Sequence, residues 1–332
     1  LKNIVHDNTE DHWYNKGLKL CEDHSYKEAV KAFENAIEIS PKNANLWIKR
    51  GEVLKLLGRR EESAKSYKRA LKFSDEAIDI NPKDSNARQN KGIALDKMGE
   101  KEKSIKCLEM AIRLYDTAIK TNSKDVKAWW HKAEILRFLG RLRESIEAYD
   151  NVTKLNPENV EAWVYKAGIL AQMDQQKEAI EAYDIAIATI PSDSTQTLAK
   201  IWKEKGLMHY EFGRHKEAVK AYDVVTELNS QDAKAWITKG LILATELGKL
   251  EEATEAYDKA LKINPKDAHA WMGKGSILRN QKKCEEAIEC YEKAIEIDPN
   301  NAYSWKNKGL ALQHLNRKSE AKAAFDKARK FR

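Results

Sequence analysis

The sequence predicts an all-α chain: a solenoid of nine helix-turn-helix units. Three observations predict it. Ala, Leu, Lys and Glu dominate the 332 residues, with 42% hydrophobic, 33% charged and only six prolines, a composition of strong helix formers. The phrase W-x-x-K/R-G returns along the whole chain, four times at a spacing of 34 residues. All six prolines (Pro41, Pro82, Pro157, Pro191, Pro265, Pro299) occupy one slot of that repeat, where a residue without an N–H ends a helix.

The repeat is legible slot by slot. Tryptophan opens it at Trp13, Trp47, Trp129, Trp163, Trp202, Trp236, Trp271 and Trp305, with Arg88 standing in once. A small residue follows at Gly17, Gly51, Gly92, Ala133, Ala167, Gly206, Gly240, Gly275 and Gly309. An aromatic comes later at Phe33, Tyr67, Tyr149, Tyr183, Tyr222, Tyr257, Tyr291 and Phe325, with Leu108 once. Small residues belong where two helices approach closely, and aromatics fill the space between pairs. One pair cannot bury its apolar face, whereas a stack can. The slots resemble the tetratricopeptide repeat, W-x-x-L-G-x-x-Y followed by A-x-x-x-F and P. The resemblance implies a right-handed α-α superhelix and a non-enzymatic scaffold for protein–protein interaction, with a partner held in a concave groove lined by the first helices. The expected organisation is a single solenoid over 1–332, with repeats at 10–43, 44–84, 85–125, 126–159, 160–193, 199–232, 233–267, 268–301 and 302–332.

The array is uneven. Trp47 to Arg88 and Arg88 to Trp129 each span 41 residues. Seven extra residues are two helical turns and rotate a face by only about 20°. The second helices of repeats two and three are therefore expected to be two turns longer, as neutral drift or as a paired ridge. The polar stretch 194–198 reads as an inserted loop, and one further residue enters near Gly248.

The slot before the small residue is basic in all nine repeats, from Lys16 and Arg50 to Lys308. Two accounts stay open. The aliphatic stems pack while the charges reach acids that follow the aromatic (Asp150, Asp184, Asp223, Asp258, Asp326), or the row contacts an anionic partner. The two-carboxylate clamp that the resemblance would imply is absent. Its first-repeat positions hold Tyr14 and Leu18, and Lys203 and Lys306 are followed by Leu207 and Leu310. By register, the groove is expected to carry Tyr14, Lys49, Asn90, Trp130, His131, Glu134, Arg137, Phe138, Tyr165, Lys203 and Met272. Trp130, the one tryptophan outside the repeating slot, forms with Phe138 and Tyr165 an expected aromatic patch.

Other chemistry finds little footing. The eight histidines show no H-x-x-x-H spacing that would set two metal ligands on one helical face. Gly273-Lys-Gly-Ser276 follows no strand and lacks the first glycine of a phosphate loop. No cofactor and no enzymatic activity are expected. Four cysteines without a C-x-x-C pair point to a reducing cytoplasm. The net charge of +7 arises from 59 basic and 52 acidic residues, and that interleaving counts against nucleic acid as the partner. No apolar run suits a membrane span, and Leu1–Asp7 lack the makeup of a signal peptide. The rival functions are binding of an anionic polymer and service as the repeat segment of a larger enzyme. The start at Leu1 rather than Met fits a piece of a longer protein. The apolar side of the last helix (Ala321, Ala324, Phe325, Ala328, Phe331) reads as uncapped, to be covered by continuing chain or by self-association.

Overall fold

The computed structural model describes residues 9–191 and 194–331. The opening stretch considered for a signal peptide, two residues of repeat five and Arg332 lie outside that range. The described residues form eighteen α-helices and no strand. They fall into two compact units, Leu1–Pro157 and Glu158–Arg332. In an array each pair contacts only its neighbours, so compactness can divide between two pairs of a chain that reads as one array.

The first unit holds four hairpins. These are α1 (Glu10–Glu22) with α2 (Tyr26–Ile39), α3 (Ala44–Leu56) with α4 (Arg60–Ile80), α5 (Ser85–Lys97) with α6 (Lys101–Thr121), and α7 (Val126–Phe138) with α8 (Leu142–Leu155). The second holds five: α9 (Val160–Gln172) with α10 (Gln176–Thr189), α11 (Thr195–Glu211) with α12 (His215–Leu228), α13 (Ala233–Thr245) with α14 (Leu250–Ile263), α15 (Ala268–Asn280) with α16 (Cys284–Ile297), and α17 (Ala302–His314) with α18 (Lys318–Lys330). Within each unit a second helix packs on its own first helix and on the first helix of the next pair.

Local chemistry sets the helix ends. Most first helices start at a side-chain cap, such as Asn43 accepting from the Asn45 N–H or Asp125 from the Ala128 N–H, which satisfies an otherwise orphaned donor. Each hairpin turn holds one residue at positive φ, glycine in five turns and His24, Asp174, Lys282 or Asn316 in the others. This left-handed residue stops the first helix and turns the chain back.

In the pairs that carry glycine, the small residue meets the side chain of the later slot (an aromatic, or Leu108 at Gly92), sixteen positions apart in most. A Cβ added at Gly51 would lie 2.6 Å from the Tyr67 ring, and one at Gly17 2.7 Å from Phe33. Burying such a ring stabilises by about 1.5–3 kcal/mol. Tryptophan, expected to be equally internal, is only half-buried in every described repeat except at Trp236. Its main task lies at the turn.

The lengthened helices are present: α4 and α6 each run 21 residues, where other second helices run 13 or 14. The extra heptad separates two duties that one heptad performs elsewhere. In a standard pair, Tyr257 packs on Gly240 while the adjacent Asp258 reaches Lys274 of the next pair. In α4, Tyr67 packs on Gly51, but the acid that reaches Lys91 is Asp75, two turns on. In α6, Leu108 packs on Gly92, and Tyr115 and Asp116 face the next pair through His131 and Lys132. Residues 68–74 and 109–115 are thus whole inserted heptads.

The 194–198 insertion is not a loop. Thr195–Leu198 belong to α11, which runs 17 residues and starts one turn early. Thr195, Gln196 and Thr197 are exposed, so their polarity reflects an unpacked first turn and not a break in the helix. The extra residue near Gly248 does lengthen a turn, Glu246–Lys249.

Deleting 68–74 joins Tyr67 directly to Asp75 and is expected to leave the thermal midpoint within about 5 °C of the parent. Deleting 68–72 instead rotates Asp75 by about 140° and is expected to lower it much further. Circular dichroism melts compare the two, and equal stability would contradict the separation of duties.

Candidate interaction surface

The tryptophan and the base beside it are placed by the turn. The indole Nε1 of Trp47, Trp129, Trp271 and Trp305 donates to the carbonyl oxygen six residues earlier, at 2.8–3.0 Å. Arg88 does the same work, with Nε and a terminal nitrogen at 3.2 and 2.9 Å from the Pro82 oxygen. It replaces tryptophan because a planar donor suffices there. The base three residues on lies over the indole, with Lys205 Nζ 4.8 Å from the Trp202 centroid and Lys132 Nζ 5.4 Å from Trp129.

The same bases meet acids of the preceding pair. Arg50 bonds Glu34 at 2.7 Å, Lys91 meets Asp75 at 2.5 Å and Lys132 meets Asp116 at 2.6 Å in the first unit. In the second, Lys205 bonds Asp184, Lys239 meets Asp223 at 2.5 Å, Lys274 meets Asp258 at 2.6 Å and Lys308 meets Glu292 at 2.7 Å. Of the acids expected to serve, Asp184, Asp223 and Asp258 do so, whereas Asp326 turns to Arg329 at 3.2 Å. These carboxylates are 41–56% exposed in the second unit, so each pair contributes about 0–1 kcal/mol. Their larger effect is to cancel the charge of the row.

The expected groove residues fare unequally. Tyr14 is half-buried, its ring 6.1 Å from Phe33, and its hydroxyl accepts from Asn45 at 3.3 Å. Lys49 joins Glu52 at 3.2 Å, and Glu52 also takes Lys97 of α5 at 3.3 Å. Burial works to lower the Lys49 ammonium, but Glu52, Tyr14 and Glu134 outweigh it and hold it above its ordinary value. The bridging roles of Glu52 and Lys97 were not visible in the sequence. Asn90 is half-buried. His131 stacks on Tyr115 at 5.6 Å and meets Glu134 at 3.2 Å.

Trp130, Glu134, Arg137 and Phe138 share one side of α7, within about 100° on a helical wheel. Trp130 is half-buried, edge-on to Tyr149 at 5.7 Å, while Arg137 is exposed and Phe138 is 44% exposed. Tyr165, 37% exposed, belongs to the second unit. There Met272 packs against the core of the last two pairs. Lys203 is held at 2.6 Å by Asp232, the cap of α13. Leu207 and Leu241, one turn of the repeat apart, are each 45% exposed.

Family models named TPR repeat match residues 17–58, 243–281 and 275–316, and models named tetratricopeptide repeat match 132–194, 44–76 and 85–117. Together they cover more than half of the chain. The chain belongs to the tetratricopeptide-repeat family. Similar solved structures include YrrB, described as a TPR protein with an unusual peptide-binding site, at 23% identity over 57% of this chain and 95% of that one, TM-score 0.46. A MamA RS-1 ArsTM double mutant aligns at 18% identity over 52% and 93%, TM-score 0.46, and MamA at 21% over 60% and 93%, TM-score 0.38. These likenesses carry no functional argument. No curated protein matches the chain. Among the described residues no helix of this tetratricopeptide-repeat chain is long and apolar enough to cross a membrane.

The end of the array is less bare than its sequence suggests. Ala321 and Ala324 are buried, and Phe325, Ala328 and Phe331 are half-buried. One polar residue is misplaced by tetratricopeptide standards. His209 takes a slot usually filled by Leu or Tyr and is 5% exposed, its Nδ1 buried without a partner. Burial, then Arg214 and Lys205, hold its pKa below the ordinary 6.5, while Glu217 and Asp184 pull the other way. A depressed folded value means that the contribution to stability is present above pH 6.5 and is lost as the pH falls through the folded value. His209→Leu is expected to flatten the fall in thermal midpoint between about pH 7 and pH 5. An unchanged pH profile in calorimetry would remove His209 as its source.

Proposed function

We propose that the chain is an interaction scaffold that takes a protein or peptide partner on the faces of its first helices, with α7 as the principal anchor. The observation that carries this reading is the α7 face. Phe138 stands 44% exposed beside an exposed Arg137 and above a half-buried Trp130. Aromatic and arginine side chains of that kind dominate binding energy at protein interfaces. The Lys49–Glu52–Lys97 chain of ion pairs and the His131–Glu134 pair supply polar groups around it that fix orientation more than affinity.

The reading of the basic row as a track for an anionic polymer loses its main support. Seven of its nine members have a carboxylate partner in the preceding pair, so few charges are left to release counterions. The repeat gives no role to catalysis, and none is proposed.

Phe138→Ala and Arg137→Glu are the informative substitutions, since Trp130 also packs against Tyr149. Each is expected to reduce capture of the chain's partner from its own lysate by about fivefold or more, with the melting profile unchanged. Capture that is indifferent to both substitutions would remove α7 from the interface.

A further inference from the structure

A second surface lies away from α7, between the two lengthened helices of the first unit. An open cleft of about 390 Å³ is lined by Leu71 and Asp75 of α4, Lys91 and Leu95 of α5, and Glu100, Lys103, Lys106 and Cys107 of α6. Its apolar floor is the half-buried Leu71 and Cys107, with Leu95 itself 3% exposed. Met110, 40% exposed, continues that floor one turn along α6. The two carboxylates of the lining are already engaged, Asp75 with Lys91 at 2.5 Å and Glu100 with Lys103 at 2.5 Å.

Around the cleft bases outnumber acids. The segment 64–73 carries Lys65, Lys68, Arg69 and Lys72 with no acid. Lys65, Lys68 and Arg69, with Lys106 and Arg113 of α6, are exposed and have no carboxylate within ion-pair distance among the described residues. Lys72 shares Glu76 at 3.7 Å. The acids Glu61, Glu62, Asp79 and Glu102 stand near the helix ends, while Glu109, between Lys106 and Arg113, meets Arg141 at 3.8 Å. Lys68 and Leu71 fall on neighbouring sides of α4, about 60° apart, so the cation borders the apolar floor. The inserted heptads supply Lys68, Arg69, Leu71, Lys72, Met110 and Arg113, side chains that a standard repeat would not possess.

We infer that the α4–α6 cleft binds an acidic protein segment that places an apolar side chain on Leu71 and Cys107 while its carboxylates meet Lys68 and Lys106. Charge complementarity selects an acidic partner. The apolar floor selects a peptide over a nucleic acid, for which stacked bases would need an exposed ring. No ring is exposed on α4, α5 or α6: Tyr67 and Tyr115 are buried, and Phe73 is half-buried against Trp47 at 6.3 Å.

Fluorescence anisotropy on the full chain tests this with three labelled probes. They are a short glutamate-rich peptide with a central leucine, the same peptide with serine in its place, and an oligothymidine of similar charge. The leucine peptide is expected to bind tightest, with the serine peptide weaker by about fivefold. The double substitution Lys68→Glu with Lys106→Glu is expected to weaken the leucine peptide by about tenfold or more. A charge-matched change in the second unit, Lys234→Glu with Lys262→Glu, and Phe138→Ala on the α7 face are both expected to leave it unchanged. Equal binding of the two peptides would overturn the role of the cleft floor, and tighter binding of oligothymidine would overturn the class of partner. A loss as large in the second-unit control would reduce the effect to net charge and overturn the site.

Discussion

The fold depends on a distance along the chain. Sixteen residues separate a small residue from the ring that covers it inside a pair, and sixteen again separate an acid on a second helix from the base it meets on the next first helix. The first spacing closes a hairpin and the second sets how the next hairpin stacks on it. The two added heptads enter so that both spacings survive, whereas the residue near Gly248 widens the first to 17 between Gly240 and Tyr257. The five extra residues of the fifth gap sit before the base and widen its ion-pair spacing to 21, while the added turn of α11 keeps Lys205 on its partner.

The two spacings differ in energy. Ring burial against glycine or alanine is worth about 1.5–3 kcal/mol each, whereas the ion pairs, with carboxylates largely in water, reach about 1 kcal/mol at most. The rings therefore outweigh the ion pairs in stability. The pairs specify register, and in doing so they occupy the charges that would otherwise make the basic row a polyanion track. Any partner has to be recognised by side chains that neither spacing uses.

Much of this was legible because the slots are steric requirements. Glycine at 51 lets the Tyr67 ring lie where an added Cβ would be only 2.6 Å away, and proline at 82 ends a helix whatever surrounds it. Polarity was a poorer guide. Ser194–Leu198 read as a loop, yet a helix that starts in solvent also shows polar residues in its first turn, and α11 does. Register placed Trp130 and Phe138 on one side of α7 but could not say that Tyr149 would half-cover the first and leave the second open. Nor could it show that Lys203 would be held by a cap of the next repeat, since that pairing depends on a side chain 29 residues away.

The lengthened helices follow from the same reasoning. In a standard second helix one heptad carries both the ring and the acid, so each of its inward positions is committed. In α4 and α6 the ring stays with its own pair and the acid moves two turns on, leaving the stretch between them with neither duty. Its inward side must still pack, and Ala70 is buried there. Its outer side answers to nothing in the fold. That is where Lys68, Arg69 and Lys72 stand without an acid among them, beside the half-buried Leu71. A stretch freed from holding the array together is the part of this chain where side chains can be chosen for a partner.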